Sequence, residues 1–111
     1  MPGAYNSAMD YQLVIKLWRK SLESEAFLEG LQAELKQALG NAVELEGHDV
    51  SAKEINIFML TADPKPTFRR VRDVLEKHGI DRGVSAAYRL AGGAQFTSVW
   101  PLRNMRKFSL P

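Results

Sequence analysis

The run from Ile55 to Thr61 constrains the fold of this chain more than any other segment. Its residues alternate between two faces, and both faces carry apolar side chains: Ile55, Ile57 and Met59 on one, Phe58 and Leu60 on the other. A strand that is apolar on both faces is typical of a central position in a sheet, where both sides are covered. The sequence therefore predicts a sheet in which this strand lies between two neighbours.

Alternation and helical periodicity predict the elements before this strand. A first strand covers residues 11–19, and a short acidic strand covers residues 42–47. Between them a helix runs to about Leu39, with Ser21 or Ser24 as its N-cap, because a serine oxygen accepts hydrogen bonds from the free amides of a first turn. Residues 48–53 then form a connection to the central strand.

A second helix and a hairpin follow the central strand. Asp63 is placed to cap the helix, and Pro64 is tolerated at its first position, where no amide hydrogen is needed. Residues 84–90 and 95–100 alternate as two strands, and the Gly-Gly pair between them supplies the positive φ values of a tight hairpin. The second half of the chain is therefore predicted to contain a helix followed by two strands.

The order β-α-β-β-α-β, followed by one more strand, predicts an α+β, ferredoxin-like sandwich. Right-handed crossovers would place both helices on one face of an antiparallel sheet. The sheet face away from the helices, called the open face below, would be left to solvent or to a partner. We expect residues 11–101 to form this domain, residues 1–10 a disordered leader, and residues 102–111 a basic tail that folding does not require.

Composition narrows the functional class. The chain of 111 residues contains no cysteine, which argues against disulfides and thiolate metal sites and favours a cytoplasmic location. No apolar run reaches the roughly 20 residues of a membrane span, and residues 1–10 do not resemble a signal peptide. We expect no metal, no cofactor and no membrane partner.

Charge is distributed unevenly along the chain. Residues 1–64 carry five Lys and Arg against ten Asp and Glu, whereas residues 65–111 carry ten against three. This polarity can steer a charged partner towards one end of the molecule. The interpretation that we favour is that the two halves face each other or pair internally.

Polar residues around the predicted connection form a candidate ligand-binding site. His48 and Asp49 are adjacent, and Glu54 follows a few residues later. An imidazole beside a carboxylate is the minimum for a tuned general base or for a metal ligand with an orienting partner. The alternative is that Asp49 and Ser51 close the loop by hydrogen bonds to its backbone. We assign no catalytic residue.

The open face is a candidate interface. Strand alternation places apolar and basic side chains there: Val14, Lys16, Trp18, Phe58 and Leu60. An apolar patch of this kind is typical of protein contacts. An aromatic and basic sheet can also stack RNA bases, but the third strand lacks the glycine–aromatic signature of RNA-recognition motifs, so nucleic acid is not favoured.

Several short motifs resemble a family of small uncharacterised bacterial proteins. They are Gly47-His48-Asp49, Glu54-x-Asn56-Ile57-Phe58, Asp63-Pro64-x-x-Thr67-Phe68, Ala87-Tyr88-Arg89 and Val99-Trp100-Pro101. The resemblance covers residues 10–101 and implies a ferredoxin-like fold without a known reaction. It adds Asn56, Tyr88 and Arg89 to the candidate ligand-binding residues.

These observations predict a non-enzymatic protein-interaction module that forms a homodimer through the open face. The alternative is a small-ligand sensor or enzyme that uses His48, Asp49 and Glu54. Ferredoxin-like domains carry many functions, so the fold favours neither.

Overall fold

A computed structural model describes residues 8–22, 24–80, 82–101 and 108–110 of the chain. It contains two α-helices and five β-strands, which confirms the α+β class. In chain order the elements are β1 (Tyr11–Trp18), α1 (Glu25–Leu39), β2 (Val43–Val50), β3 (Glu54–Thr61), α2 (Pro64–Lys77), β4 (Ser85–Leu90) and β5 (Thr97–Trp100). Short 3-10 turns, Arg19–Ser21 and Gly40–Ala42, precede and follow α1.

The strands form one antiparallel sheet in the order β2-β3-β1-β4-β5. β1 lies at its centre, between β3 and β4, and β3 lies between β1 and β2 as the sequence predicts. The order differs from that of a four-stranded βαββαβ sheet by the fifth strand, which extends the β4 edge. β2 and β5 are therefore the two edge strands.

Both helices pack on one face of the sheet and share one hydrophobic core. Leu28, Leu31, Leu35 and Leu39 of α1 are buried, as are Phe68, Val71, Val74 and Leu75 of α2. They pack against the alternate residues of the central strands, which include Leu13, Ile15, Ile57 and Met59. The apolar stripes at helical spacing thus bury against the faces that strand alternation predicts.

Both helices begin at predicted N-cap positions, but the hydrogen bonds at the start of α2 differ from those predicted. Ser24 Oγ accepts a hydrogen bond from the Phe27 amide at 3.1 Å, so Ser24 rather than Ser21 caps α1. Asp63 occupies the N-cap position of α2, but its side chain makes no capping hydrogen bond. Instead, Thr61 Oγ1 accepts from the Asp63 amide at 3.2 Å and bonds Thr67 Oγ1 at 2.8 Å.

The prediction for β2 is wrong at its C-terminal end. The strand continues through Val50 and does not stop at Gly47, so the connection to β3 shrinks to residues 51–53. A β-bulge between Leu45 and Gly47 explains the difference, because Gly47 at φ 134° absorbs the register shift and lets pairing with β3 resume. Ser51 closes the short turn through hydrogen bonds with Glu54.

The open face is covered near its centre by the chain itself. Phe108, from the segment expected to be a dispensable tail, is 7% exposed and packs with Val14 and Ala87. Phe58, Phe96 and Leu110 complete this second, smaller cluster. The leader at residues 1–7 and the tail at residues 102–107 lie outside the described residues.

Candidate functional site

His48 and Asp49, two of the predicted ligand-binding residues, are successive residues of β2 and do not lie in a loop. Their side chains therefore point to opposite faces of the sheet. His48 Nδ1 lies 3.0 Å from Gln32 Nε2 on α1, whereas Asp49 is in register with Asn56 on the open face. The two side chains cannot form the imidazole–carboxylate pair that a general base requires.

Glu54 and Asn56 do come together, on the open face beside Lys16. Glu54 Oε2 accepts a hydrogen bond from Asn56 Nδ2 at 3.0 Å and lies 3.3 Å from Lys16 Nζ. Asn56 is 1% exposed, and its Oδ1 has no hydrogen-bond partner in the described part of the chain. The Lys16 ammonium also donates to the Ser109 carbonyl and lies 4.6 Å from the centre of the Phe108 ring. This polar cluster lies under the C-terminal segment.

Tyr88 and Arg89 are also successive strand residues, and their side chains point to opposite faces of the sheet, as those of His48 and Asp49 do. Arg89 lies on the open face, where its Nε donates to Gln12 Oε1 at 2.8 Å and its guanidinium lies 4.6 Å from the centre of the Phe96 ring. Tyr88 points to the helix side and meets the Tyr11 ring edge-on at 5.5 Å. The six candidate ligand-binding residues are thus divided between the two faces of the sheet.

The predicted interface residues also differ in accessibility. Val14 is fully buried, and Phe58 and Leu60 are half-buried. The Lys16 ammonium donates a hydrogen bond to the Ser109 carbonyl of the C-terminal segment. Trp18 remains 48% exposed at the end of β1. Sequence reasoning missed the roles of Phe96 and Phe108. Phe96 falls in the predicted strand 95–100, but the observed strand begins at Thr97, and Phe108 lies in no periodic segment that would assign it to a face.

Trp18 borders a groove of about 660 Å³ at the end of the sheet. This end groove lies between the N-terminus of α1, the end of β1 and the β2–β3 turn, and its lining includes Trp18, Arg19, Lys20, Leu28, Val50 and Lys53. Val50 on its rim is 47% exposed. Gly83 supports the indole, because a Cβ built at Gly83 would lie 2.1 Å from Trp18 Cδ1.

Among its charged residues, the described lining of the end groove is mainly basic. It contains Arg19, Lys20 and Lys53 against one carboxylate, Glu25. Lys20 Nζ lies 5.9 Å from the centre of the Trp18 ring, and the Arg19 amide donates to the Lys53 carbonyl at 2.9 Å. The run Trp18-Arg19-Lys20 was a visible signal in the sequence, but its pairing with the β2–β3 turn depends on the sheet register.

A separate charged cluster joins the two helices. His78 Nε2 donates to Glu34 Oε1 at 2.7 Å, and Lys77 Nζ lies 3.0 Å from Glu34 Oε2. The hydrogen bond from His78, followed by that from Lys77, lowers the pKa of the Glu34 carboxyl below its ordinary value. His78 is held edge-on against Phe27 at 5.7 Å. Since every partner is a neighbouring side chain, this cluster has the character of a structural ion pair.

The residues that the structure describes contain neither a metal-binding cluster nor a membrane-spanning helix. No group of three or more His, Asp or Glu side chains there could hold a metal ion. None of the described helices is long and apolar enough to cross a bilayer. Neither observation adds a functional residue.

Comparisons with known proteins return no match: no family model, curated protein or solved structure is similar to this chain. The function therefore has to be inferred from the side chains themselves. Two features stand out: the basic end groove with its exposed tryptophan, and the polar cluster beneath residues 108–110.

Proposed function

We propose that the protein is a non-enzymatic protein-interaction module whose contact surface is the end groove. One observation carries the proposal. Among the described residues, the large hydrophobic side chains that stand out as exposed are Trp18, Val50 and Leu90, and two of these three border this one groove. Tryptophan and arginine beside a concave apolar surface are the residues that dominate binding energy at protein interfaces.

Charge complementarity defines the partner. Arg19, Lys20 and Lys53 surround the groove, so a partner that places carboxylates near them gains both affinity and association rate. Leu28 and Ile55, which are buried, form the apolar base of the groove, and Trp18 and Val50 present the exposed apolar contact. The partner is therefore an acidic segment of another protein that inserts an aliphatic or aromatic side chain beside Trp18.

Binding rather than catalysis is supported by the placement of the acid–base candidates. His48 and Asp49 lie on opposite faces of β2, and the carboxylate of Glu54 is taken up by Asn56 and Lys16. This placement favours a binding surface over a small-ligand sensor or enzyme built on the β2–β3 connection. We propose a cytoplasmic location, which the absence of cysteine favours.

Selection from a library of random displayed peptides tests the proposal. We expect recovered peptides to be enriched in Asp and Glu around one aromatic or aliphatic residue. Their binding should fall by about tenfold or more for Trp18→Ala, the loss typical of a hot-spot residue. Lys53→Glu should weaken binding and reduce its dependence on salt.

Leu90→Ala is the matched control, because Leu90 is equally an exposed apolar residue but lies outside the end groove. Peptides that bind Trp18→Ala as well as the parent would refute the proposed surface. An equal loss of binding in Leu90→Ala would point to nonspecific apolar adsorption.

Self-association is the second candidate. Trp18 lies at the end of the open face, and Phe58 and Leu60 of that face remain half-exposed, so a second copy could pair with them through a two-fold axis. Such a homodimer has to accommodate residues 108–110, which already cover Val14. Light scattering would favour this candidate if it gave the mass of a dimer for the parent protein and the mass of a monomer for Trp18→Lys.

We also propose that the topology is ferredoxin-like. The neighbours β2-β3-β1-β4, with α1 between β1 and β2 and α2 between β3 and β4, support it. β5 is then an addition at the β4 edge. Membership of the small bacterial family that the sequence resembles belongs to the same proposal, and an experimental structure of a family member would test both.

A further inference from the structure

A second cavity lies on the other side of the molecule, between α2 and the edge strand β5. This helix–strand groove has a volume of about 430 Å³, and its lining includes Lys65, Phe68, Arg69, Arg72, Val99 and Trp100. It shares no lining residue with the end groove. Any ligand it takes would therefore be additional to the proposed protein partner.

The cations of this groove project from one helical face. Lys65, Arg69 and Arg72 follow each other at spacings of four and three residues, which places them in one row along α2. No carboxylate lines the groove in the part of the chain that the structure describes. Within the same residues, Lys65 and Arg69 have no ion-pair partner. Two positive charges are thus available to a ligand.

The third cation has a different role. Arg72 Nε lies 3.3 Å from Glu76 Oε1, and its guanidinium stacks on Trp100 with 4.0 Å between Cζ and the ring centre. The Trp100 ring is also 6.1 Å from that of Phe68, which is buried. These contacts hold the indole as part of a fixed apolar floor below the row of cations.

The two grooves differ in the apolar residues at their rims, although both have buried apolar residues at their base. The rim of the end groove carries Trp18 and Val50, both about half exposed, as expected for a contact with a protein. In the helix–strand groove the apolar side chains Phe68, Val99 and Trp100 are buried or half-buried and form its floor. A concave apolar floor with a few polar groups at its rim is the usual form of a small-molecule site.

We infer that the helix–strand groove binds a small planar organic anion, an aromatic or heteroaromatic ring that carries a phosphate or a carboxylate. The ring packs on the floor formed by Trp100, Val99 and Phe68. Its anionic group lies at the rim, where Lys65 and Arg69 donate charge-assisted hydrogen bonds. A volume of about 430 Å³ falls within the range of such sites.

The two tryptophans of the chain allow each groove to be observed separately. In a heteronuclear NMR spectrum each indole N–H gives one signal, and Trp18→Phe and Trp100→Phe assign the two. Adenosine monophosphate and naphthoate are the probes, one for the phosphate source of charge and one for the carboxylate. We expect at least one of them to shift the Trp100 signal saturably. Adenosine lacks the anionic group and inorganic phosphate lacks the ring. Each should therefore bind at least about tenfold more weakly than adenosine monophosphate.

Charge reversal provides the matched comparison. Lys65→Glu should weaken probe binding by about tenfold, because it removes a direct contact and adds repulsion. Lys36→Glu makes the same charge change at an exposed site on α1 outside both grooves, and should change affinity by about twofold at most in physiological salt. Glutamate in the first turn of α2 favours the helix dipole, so Lys65→Glu should remain folded.

Three results would overturn the inference: no saturable shift of the Trp100 signal with either probe, a shift confined to the Trp18 signal, or an equal loss of affinity in Lys36→Glu and Lys65→Glu. The first and third results leave peptide binding at Trp18 untouched, and the second would place the probe in the end groove without contradicting peptide binding there. Failure here is therefore distinct from failure of the proposed protein contact.

Discussion

The rings of Phe96 and Phe108 pack against each other with 5.1 Å between their centres. One ring belongs to the loop of the β4–β5 hairpin, and the other to the C-terminal segment. Together they cover Val14 and Ala87 at the centre of the open face. The centre of a sheet face that alternation leaves exposed is therefore covered by residues from the same chain.

Phe108→Ala should destabilise the protein. The ring is 7% exposed against Val14 and Ala87, so its removal leaves apolar surface in water and should lower the free energy of unfolding by about 2–3 kcal/mol, somewhat less than for a central core phenylalanine. Ser109→Ala is the control, since Ser109 contacts Lys16 through its backbone carbonyl. Urea denaturation of both variants checks the prediction. A parent-like midpoint for Phe108→Ala would show that the segment is dispensable, as the sequence first indicated.

Gly83→Ala should cost more stability than Gly79→Ala. Both glycines have positive φ, 75° and 70°, so each alanine carries a similar backbone strain of about 1 kcal/mol. Only at Gly83 would the new Cβ also meet the Trp18 indole, whereas nothing lies within 4 Å of the Cβ position at Gly79. We expect Trp18 fluorescence to change in Gly83→Ala alone. Equal costs and unchanged spectra in both variants would contradict the packing of Trp18 on Gly83.

The contact between Glu34 and His78 should make stability depend on acid pH. Because the pKa of Glu34 is lowered in the folded state from its ordinary value of 4.5, the contribution is present above that pH and is lost as the pH falls through the folded-state pKa. The melting temperature of Glu34→Gln should therefore lie a few degrees at most below that of the parent at neutral pH. This difference in melting temperature should disappear in acid. Thermal melts across this range measure it.

Glu29→Gln serves as the control for that experiment. Glu29 is exposed on the same helix and has no ion pair among the described residues. Its replacement should leave no pH-dependent gap. A gap for Glu34→Gln that stays constant down to low pH would assign the effect to packing instead of charge.

Asn56→Leu should stabilise the protein. The amide is 1% exposed and its Oδ1 lacks a partner in the described residues, so a side chain of similar volume without polar atoms removes an unpaired acceptor. We expect a gain of about 1 kcal/mol in the free energy of unfolding, after the loss of the hydrogen bond to Glu54. Chemical denaturation beside Asn41→Leu, at an exposed position, measures it. A loss of stability would indicate that Asn56 Oδ1 does find a hydrogen-bond donor.

Local patterns were sufficient for most of the fold. The spacing of Phe68, Val71 and Leu75 predicts the buried face of α2, because a helix repeats its faces through bonds between near neighbours. Ser24 and Gly40 mark the ends of α1 for the same reason, since caps act within one turn. These features depend only on residues close in sequence.

The candidate site depended on contacts that no local pattern contains. His48 and Asp49 form a plausible pair in a loop, but the bulge at Gly47 extends β2 and sends their side chains to opposite faces. The bond between Arg89 and Gln12 joins positions 77 residues apart, and Phe108 meets Val14 from the other end of the chain. The strand register and the return of the C-terminal segment to the sheet determine such contacts. The spacing of residues in the sequence predicts neither of them.

The bulged edge strand β2 also bears on solubility. An uncovered edge strand is a template on which another chain can add a strand, the first step of aggregation. Here Glu44, Glu46 and Asp49 place exposed negative charges along that edge, and the bulge at Gly47 interrupts its regular ladder of backbone groups. Two copies that approach edge to edge therefore repel each other and find no continuous register. Asp49, a candidate ligand-binding residue in the sequence, thus acts with Glu44 and Glu46 against the addition of further strands at this edge.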